Sequence, residues 1–542
     1  MTEITRRTFL KKASTATAAG AAAYCGLHTS SQQTPRAFAA DTIAETTAGK
    51  VRGQTEDGVH VFKGIPYGAT TTGANRWMPA KPPESWSGVR DALKFGPAAP
   101  QTPGRVTQSD MSEDCLVANV WTRALNDGKK RPVMLWLHGG GFSTLSSSSI
   151  MYDGVNLCKR GDVVVLGVNH RLNVFGFLHL GDIAGQQYEA SGNVGMLDLV
   201  LALKWIRDNI KQFGGDPDNV TIFGESGGGR KTTTLMAMPD AKGLFHRAII
   251  ESGPGIRLQP RDKATEIAHA LLDELNINPR ELGNLLKLPT SEIIAAHSTV
   301  TSRLDSRARQ IGRNEQRGFV PTVGVPSLPD FAFDPAAPEV SKHVPLLIGS
   351  NKHEMAYFTR LRDQEVYNRK LTEAQLSERL NTMVGGEAER VLQIYKQHHP
   401  GADPSLLWTL MLTDRTYRFD SITLAQRKTA QEGAPCYMYH FEWESPVDDG
   451  KALAHHALEI AFAFDNIAKA PEMSGGGPEA QKLAAKVSEA WIAFARSGNP
   501  NTENLPSWPT YTTQDRSTMI FDNECAVRSD PDSVIRRLWS TI

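Results

Sequence analysis

Val220-Thr221-Ile222-Phe223-Gly224-Glu225-Ser226-Gly227-Gly228 decides the reading of this chain. Four residues that suit a buried strand run into G-x-S-x-G, and a helical segment follows. A sharp strand-to-helix turn lifts a serine hydroxyl above the sheet, and only glycines tolerate the crowding beside it. The helix N-terminus beyond favours developing negative charge. Ser226 is therefore the expected nucleophile. The same glycines approach a phosphate-loop pattern, but Arg230 separates Gly229 from Lys231, so the lysine is out of register for a nucleotide site.

Working outward, residues 132–137, 162–168, 247–250 and 344–349 are further short apolar runs. Residues 197–213 carry helical apolar spacing (Leu199, Leu201, Leu203, Ile206, Ile210) and close on Gly214-Gly215. Continuous apolar strands separated by helices predict a mostly parallel sheet with helices on both faces. Short strand-like pieces between Gly49 and Gly96 predict antiparallel strands that open it. Residues 261–343 and 359–432 read as helical insertions capping the sheet. Residues 41–542 thus form one α/β domain.

His138-Gly139-Gly140-Gly141-Phe142 follows the strand at 132–137. Such a loop presents backbone N–H groups with no side chain in the way. Two of them, with the N–H of Gly227, can converge on an oxyanion.

Composition narrows the partners. Of 542 residues, 40% are hydrophobic and 22% charged, which suits a globular chain. Lys+Arg and Asp+Glu both number 59, so there is no basic excess to hold nucleic acid. Thr5-Arg6-Arg7-Thr8-Phe9-Leu10-Lys11-Lys12, an Ala-rich stretch at 13–27 and Ala37-Phe38-Ala39 match a twin-arginine export signal over residues 1–40. The stretch is shorter than the ~20 residues needed to span a bilayer, and no later run suits a transmembrane helix. The expected location is periplasmic or secreted. Cys115, Cys158, Cys436 and Cys525 remain after the signal. Cys158 and Cys436 lie beside apolar runs and read as small buried side chains.

On these motifs the chain resembles the type-B carboxylesterase family of α/β-hydrolases, over about residues 46–522. Residues 213–217 leading into Gly224-Glu225-Ser226 match one family signature. Glu113-Asp114-Cys115-Leu116 with Asn119-Val120-Trp121 matches the other. Phe62-Lys63-Gly64-Ile65-Pro66-Tyr67, Asn169-His170-Arg171-Leu172 and Trp508-Pro509 fit as well. The resemblance implies the α/β-hydrolase fold and a Ser–Glu–His triad. Glu354 in Ser350-Asn351-Lys352-His353-Glu354 is the implied acid, although Met355 replaces the glycine usual after it. His456, not the adjacent His455, is the implied base, expected to titrate near neutrality. Gly140, Gly141 and Gly227 are the implied oxyanion donors. The implied substrate is a small-molecule ester, with no metal or organic cofactor.

Departures from the family bear on substrate. Ala99 stands where the family carries a disulfide partner for Cys115, so that loop is expected to be unbridged. No aromatic residue lies between Ala99 and Cys115, which argues against a choline ester. After the nucleophile, Gly229-Arg230-Lys231 replaces small residues. These cations either snorkel or pair with acids, or Arg230, with Arg257, clamps the carboxylate of a di- or tricarboxylic ester. Phe142 is a second substrate-contact candidate. A lactonase or amidase of the same fold shares every motif. A non-catalytic binding protein of the family is the other alternative, although this chain keeps all three triad positions.

Overall fold

A computed structural model describes residues 42–102, 110–310 and 318–542. The export-signal reading of residues 1–40 and part of the loop before Cys115 lie outside the described residues. An eleven-stranded sheet is built from β1 (Gln54–Glu56), β2 (Val59–Pro66), β3 (Val117–Thr122), β4 (Arg131–Leu137), β5 (Val164–Val168), β6 (Gly215–Glu225), β7 (Arg247–Glu251), β8 (Leu346–Asn351), β9 (Cys436–Phe441), β10 (Ser517–Phe521) and β11 (Ala526–Ser529). Their spatial order is β11-β10-β9-β8-β7-β6-β4-β5-β3-β2-β1. The seven strands from β5 to β10 are parallel. Antiparallel β1, β2 and β3 flank one side; β1 and β2 fall in the segment from Gly49 to Gly96 where the sequence predicts such strands, and β3 lies beyond it. An antiparallel β11 closes the other edge, which the sequence reading did not foresee.

The central strands alternate between two cores. On β4, Val133, Leu135 and Leu137 face one side, while Met134 and Trp136 face the other. On β5, Val164 and Leu166 oppose Val165 in the same way. Burial on both faces explains why these strands read as continuous apolar runs. Among the flanking helices are α1 (Val155–Gly161), α2 (Val194–Asn209), α3 (Gly227–Ala237), α4 (Phe419–Ala430) and α5 (Pro478–Ser497). Apolar residues of α2, α3 and α4 join the first core, and those of α1 and α5 join the second.

The insertions are only partly as expected. Residues 359–432 are helical and hold a satellite core, in which Leu376, Leu380, Val391 and Met411 pack with Trp539 near the C-terminus. In the other insertion, Arg261–Glu274 and Thr290–Gln310 are helices, but residues 318–338 are turns and one short strand. The prolines and glycines there deny a continuous helix its hydrogen bonds.

Several signature residues hold the frame. The Arg76 guanidinium grips Glu113 at 2.6–2.7 Å, and Arg171 grips Asp198 at 2.6–2.8 Å, all buried. Removing one partner of such a pair costs about 3–5 kcal/mol. Cys115, Cys158, Cys436 and Cys525 are free thiols, the first three buried.

Candidate active site

The site collects at the C-terminal ends of the parallel strands, where loops of several strands meet. β6 ends at Glu225, Ser226 makes the turn, and α3 begins at Gly227. Ser226 has φ 57° and ψ −118°, a strained conformation for a residue with a side chain. Its N–H donates to the Glu251 carbonyl at 2.9 Å. The motif glycines are sterically required. A Cβ on Gly224 would lie 2.5 Å from the Leu137 oxygen, and one on Gly228 would lie 1.9 Å from it.

The glycine loop after β4 packs onto this turn. A Cβ on Gly227 would fall 2.4 Å from the Gly141 nitrogen, so the loop and the first turn of α3 are in backbone contact. Gly140 and Gly141 have φ of 80° and 63°, the left-handed region open to glycine. Gln101 accepts from the Leu145 N–H at 2.7 Å and steadies the loop from outside. Phe142 is 1% exposed and sits edge-on to Phe177 with centroids 5.2 Å apart. Its ring supports the loop from the core side.

Glu354 follows β8, and His456 lies beyond β9. The imidazole Nδ1 meets Glu354 Oε2 at 2.6 Å, and the Asn351 N–H donates to Glu354 Oε1 at 2.8 Å. His456 Nε2 faces Glu225 Oε1, on the residue before Ser226, at 3.1 Å. The structure thus draws Glu354, His456 and the Ser226 turn together. His455 stands apart, with Nδ1 against the His456 carbonyl at 2.7 Å. Tyr417 and Phe358 flank the His456 ring at 4.9 and 5.0 Å between centroids. Tyr417 is carried on a π-helical turn, Asp414–Arg418, in the capping insertion.

Burial sets the protonation states. It pushes His456 down to about 4, Arg230 adds to this, and Glu459 opposes it. The imidazole is therefore held neutral, below the near-neutral value expected from sequence. Burial raises Glu354, against the opposing pull of Ser252 and the Asn351 N–H. Three more buried carboxyls surround the pair, none of them anticipated as a group from sequence. Glu225 is raised by burial and by Glu459, Glu354 and Glu251. Glu251 is pushed up to about 8 and receives the Trp491 N–H at 2.7 Å. Glu459 is pushed up to about 7 and accepts from Ser252 at 2.7 Å. Glu225 adjoins the nucleophile and Glu459 lies three residues past His456, so their proximity was legible. Their mutual burial was not.

The two cations after the turn divide. Arg230 is half-buried, and among the described residues no carboxylate lies within ion-pair distance of it. Its charge reaches Glu225, His456, Tyr417 and Asp420 at longer range. Arg257 is exposed and paired with Asp334 at 3.3 Å, and its charge, like that of Arg230, reaches Asp420. Lys231 does not snorkel, and among the described residues it forms no ion pair. It is wholly buried, and its Nζ donates to the His138 carbonyl at 2.8 Å.

Residues 40–535 match the family described as "Carboxylesterase family". The chain is 36% identical over 502 residues to the para-nitrobenzyl esterase of Bacillus subtilis, covering 91% of this chain and 98% of that one. It is 31% identical over 535 residues to the liver carboxylesterase of Sus scrofa, covering 90% and 91%. A solved carboxylesterase of Geobacillus stearothermophilus superposes with a TM-score of 0.79 at 38% identity, covering 92% of this chain and 100% of that one. The chain belongs to the carboxylesterase family and is a carboxylic ester hydrolase of the α/β-hydrolase fold.

Proposed function

We propose that the protein hydrolyses small carboxylic esters through an acyl-enzyme on Ser226, with His456 as base and Glu354 as its partner. The 2.6 Å contact between His456 and Glu354, beside a serine strained above a helix N-terminus, carries this reading. The neutral imidazole takes the serine proton as Oγ attacks the ester carbonyl. Glu354 fixes the ring and stabilises its cation. The Gly140, Gly141 and Gly227 N–H groups receive the oxyanion. His456 then gives its proton to the leaving alcohol, and water repeats the sequence on the acyl group. A shared acyl-enzyme makes a clear test. With methanol present, esters of one acid and different alcohols give the same ratio of methyl ester to free acid. Ratios that follow the leaving group contradict the covalent route.

Arg230 supports a finer reading, a preference for esters that carry a second carboxylate. The acids around it are held toward their neutral forms by burial, Glu225 and Asp420 among them. Among the described residues no carboxylate lies within ion-pair distance of the Arg230 guanidinium, and a substrate carboxylate beside the proposed nucleophile would complete it. A charged hydrogen bond contributes about 1.5–3 kcal/mol, which is roughly a 10- to 160-fold preference in kcat/KM for a half-ester of a dicarboxylic acid over its neutral diester. Arg230→Gln erases that preference and spares small neutral esters. An unchanged ratio in the variant removes the idea.

Residues 1–40 are proposed to export the chain by the twin-arginine route to the periplasm or beyond. With Arg6 and Arg7 both replaced by Lys, esterase activity stays in the cytoplasm. Normal export of that variant contradicts the assignment.

A further inference from the structure

We propose that Lys231 is a positioning residue for the oxyanion loop, tying the His138 carbonyl to the helix that begins at the nucleophile. The inference rests on the reading of Gly140, Gly141 and Gly227 as oxyanion donors. Those donors sit on two separate elements, the loop after β4 and the first turn of α3. Stabilising an oxyanion depends on their relative placement, since the donors act only when aimed where charge develops. The contact of Gly227 against Gly141 between these elements is steric, as is that of Gly228 against Leu137 at the end of β4. Steric contacts set a minimum separation and do nothing to stop the elements parting. The Lys231 Nζ bond to the His138 oxygen, at 2.8 Å, supplies a hold that acts in tension.

The surroundings of Lys231 are unusual for a lysine that only fills space. Its side chain is wholly buried, and among the described residues no carboxylate lies within ion-pair distance. Burial pushes its ammonium down to about 7. An isolated buried ammonium is costly, and an apolar side chain would fill the same volume without that cost. The groups that face it are suited to a donor. His138 and His170 stack at 5.3 Å between centroids, and the charge of Lys231 acts on both. Each ring places Nδ1 against a carbonyl, Gly139 at 3.0 Å and Arg171 at 2.8 Å. Both rings are held neutral by burial, so Nδ1 carries the hydrogen and Nε2 offers a lone pair. Among the described residues, the buried His170 Nε2 has no hydrogen-bond partner. A three-proton donor beside two neutral imidazoles and a loop carbonyl forms a cradle behind the glycine loop.

This role separates from packing by experiment. Lys231→Met keeps the length and apolar volume of the stem and removes the donor. The expected result for a small neutral ester is a kcat lower by roughly 10- to 100-fold, somewhat less than the loss of an oxyanion donor itself, with KM little changed. Tm should hold or rise, because an unpaired buried charge is gone. A trifluoromethyl ketone gives the decisive readout. Its carbonyl carbon bonds to Ser226 Oγ, the serine proton passes to His456, and the electron pair settles on the ketone oxygen as an oxyanion. Its inhibition should weaken by the same factor as kcat, while inhibition by the product alcohol stays unchanged. Unaltered kcat and ketone inhibition in Lys231→Met overturn the proposal. A fall in Tm together with equal losses for ketone and alcohol also overturns it, since that is a packing defect. If Lys231→Met does not fold, Lys231→Gln carries the same comparison, with the same outcomes deciding. If the ketone fails to inhibit the wild-type enzyme, the triad reading falls instead.

Discussion

Ser226→Ala lowers kcat for a neutral ester by about ten thousand- to a million-fold, the scale seen when a triad nucleophile is removed. The size of the effect follows from the local geometry. Ser226 is held at φ 57° by the strand before it and the helix after it. Its N–H is satisfied by the Glu251 carbonyl, so the backbone does not depend on the hydroxyl. Removing one oxygen from a partly exposed side chain should leave Tm within a degree or two. Loss of activity with an unchanged melting curve assigns the hydroxyl to chemistry. A residual kcat above ~0.1% of wild type contradicts that assignment.

His456→Ala is expected to lose at least a thousandfold in kcat, and His455→Ala to lose less than about tenfold. The two side chains are adjacent and both buried, yet their partners differ. His456 meets Glu354 at 2.6 Å, and His455 turns back onto the His456 carbonyl. The reverse pattern would show that the histidine register is wrong. The pH profile carries the same assignment. A base must be unprotonated, and burial with Arg230 nearby lowers the His456 value, so the active form persists into acid. In wild type, kcat/KM rises with pH through an ionisation below the ordinary imidazole value of about 6.5. Arg230→Gln removes a positive charge and moves that limb upward. A wild-type limb at or above 6.5 contradicts the burial argument.

Much of the frame was readable in sequence because it is local. The runs at 132–137, 162–168 and 220–223 are buried on both sides, and such strands declare themselves by unbroken apolar character. Gly224 and Gly228 are legible for the same reason, since the turn cannot be built with larger residues. Glu354 was reachable through the strand before it, despite Met355 in place of the usual glycine. What escaped was non-local. The edge strand Ala526–Ser529 is short and partly exposed, so it leaves little apolar pattern. Glu225, Glu251 and Glu459 come from three separate elements, and nothing along the chain announces that they share one buried space. Lys231 was read as a residue that would snorkel or pair. Its fate depended on the His138 carbonyl, 93 residues away in the chain.

The central claim is a covalent bond between the substrate acyl group and Ser226. The most direct measurement is acid quench of the enzyme during turnover of a slowly deacylating p-nitrophenyl ester, followed by peptide mass mapping. The account predicts one acyl group per chain, located on Ser226 in the peptide that includes Gly224-Glu225-Ser226-Gly227, and none in Ser226→Ala. An acyl group on any other residue, or full turnover by Ser226→Ala, would contradict it.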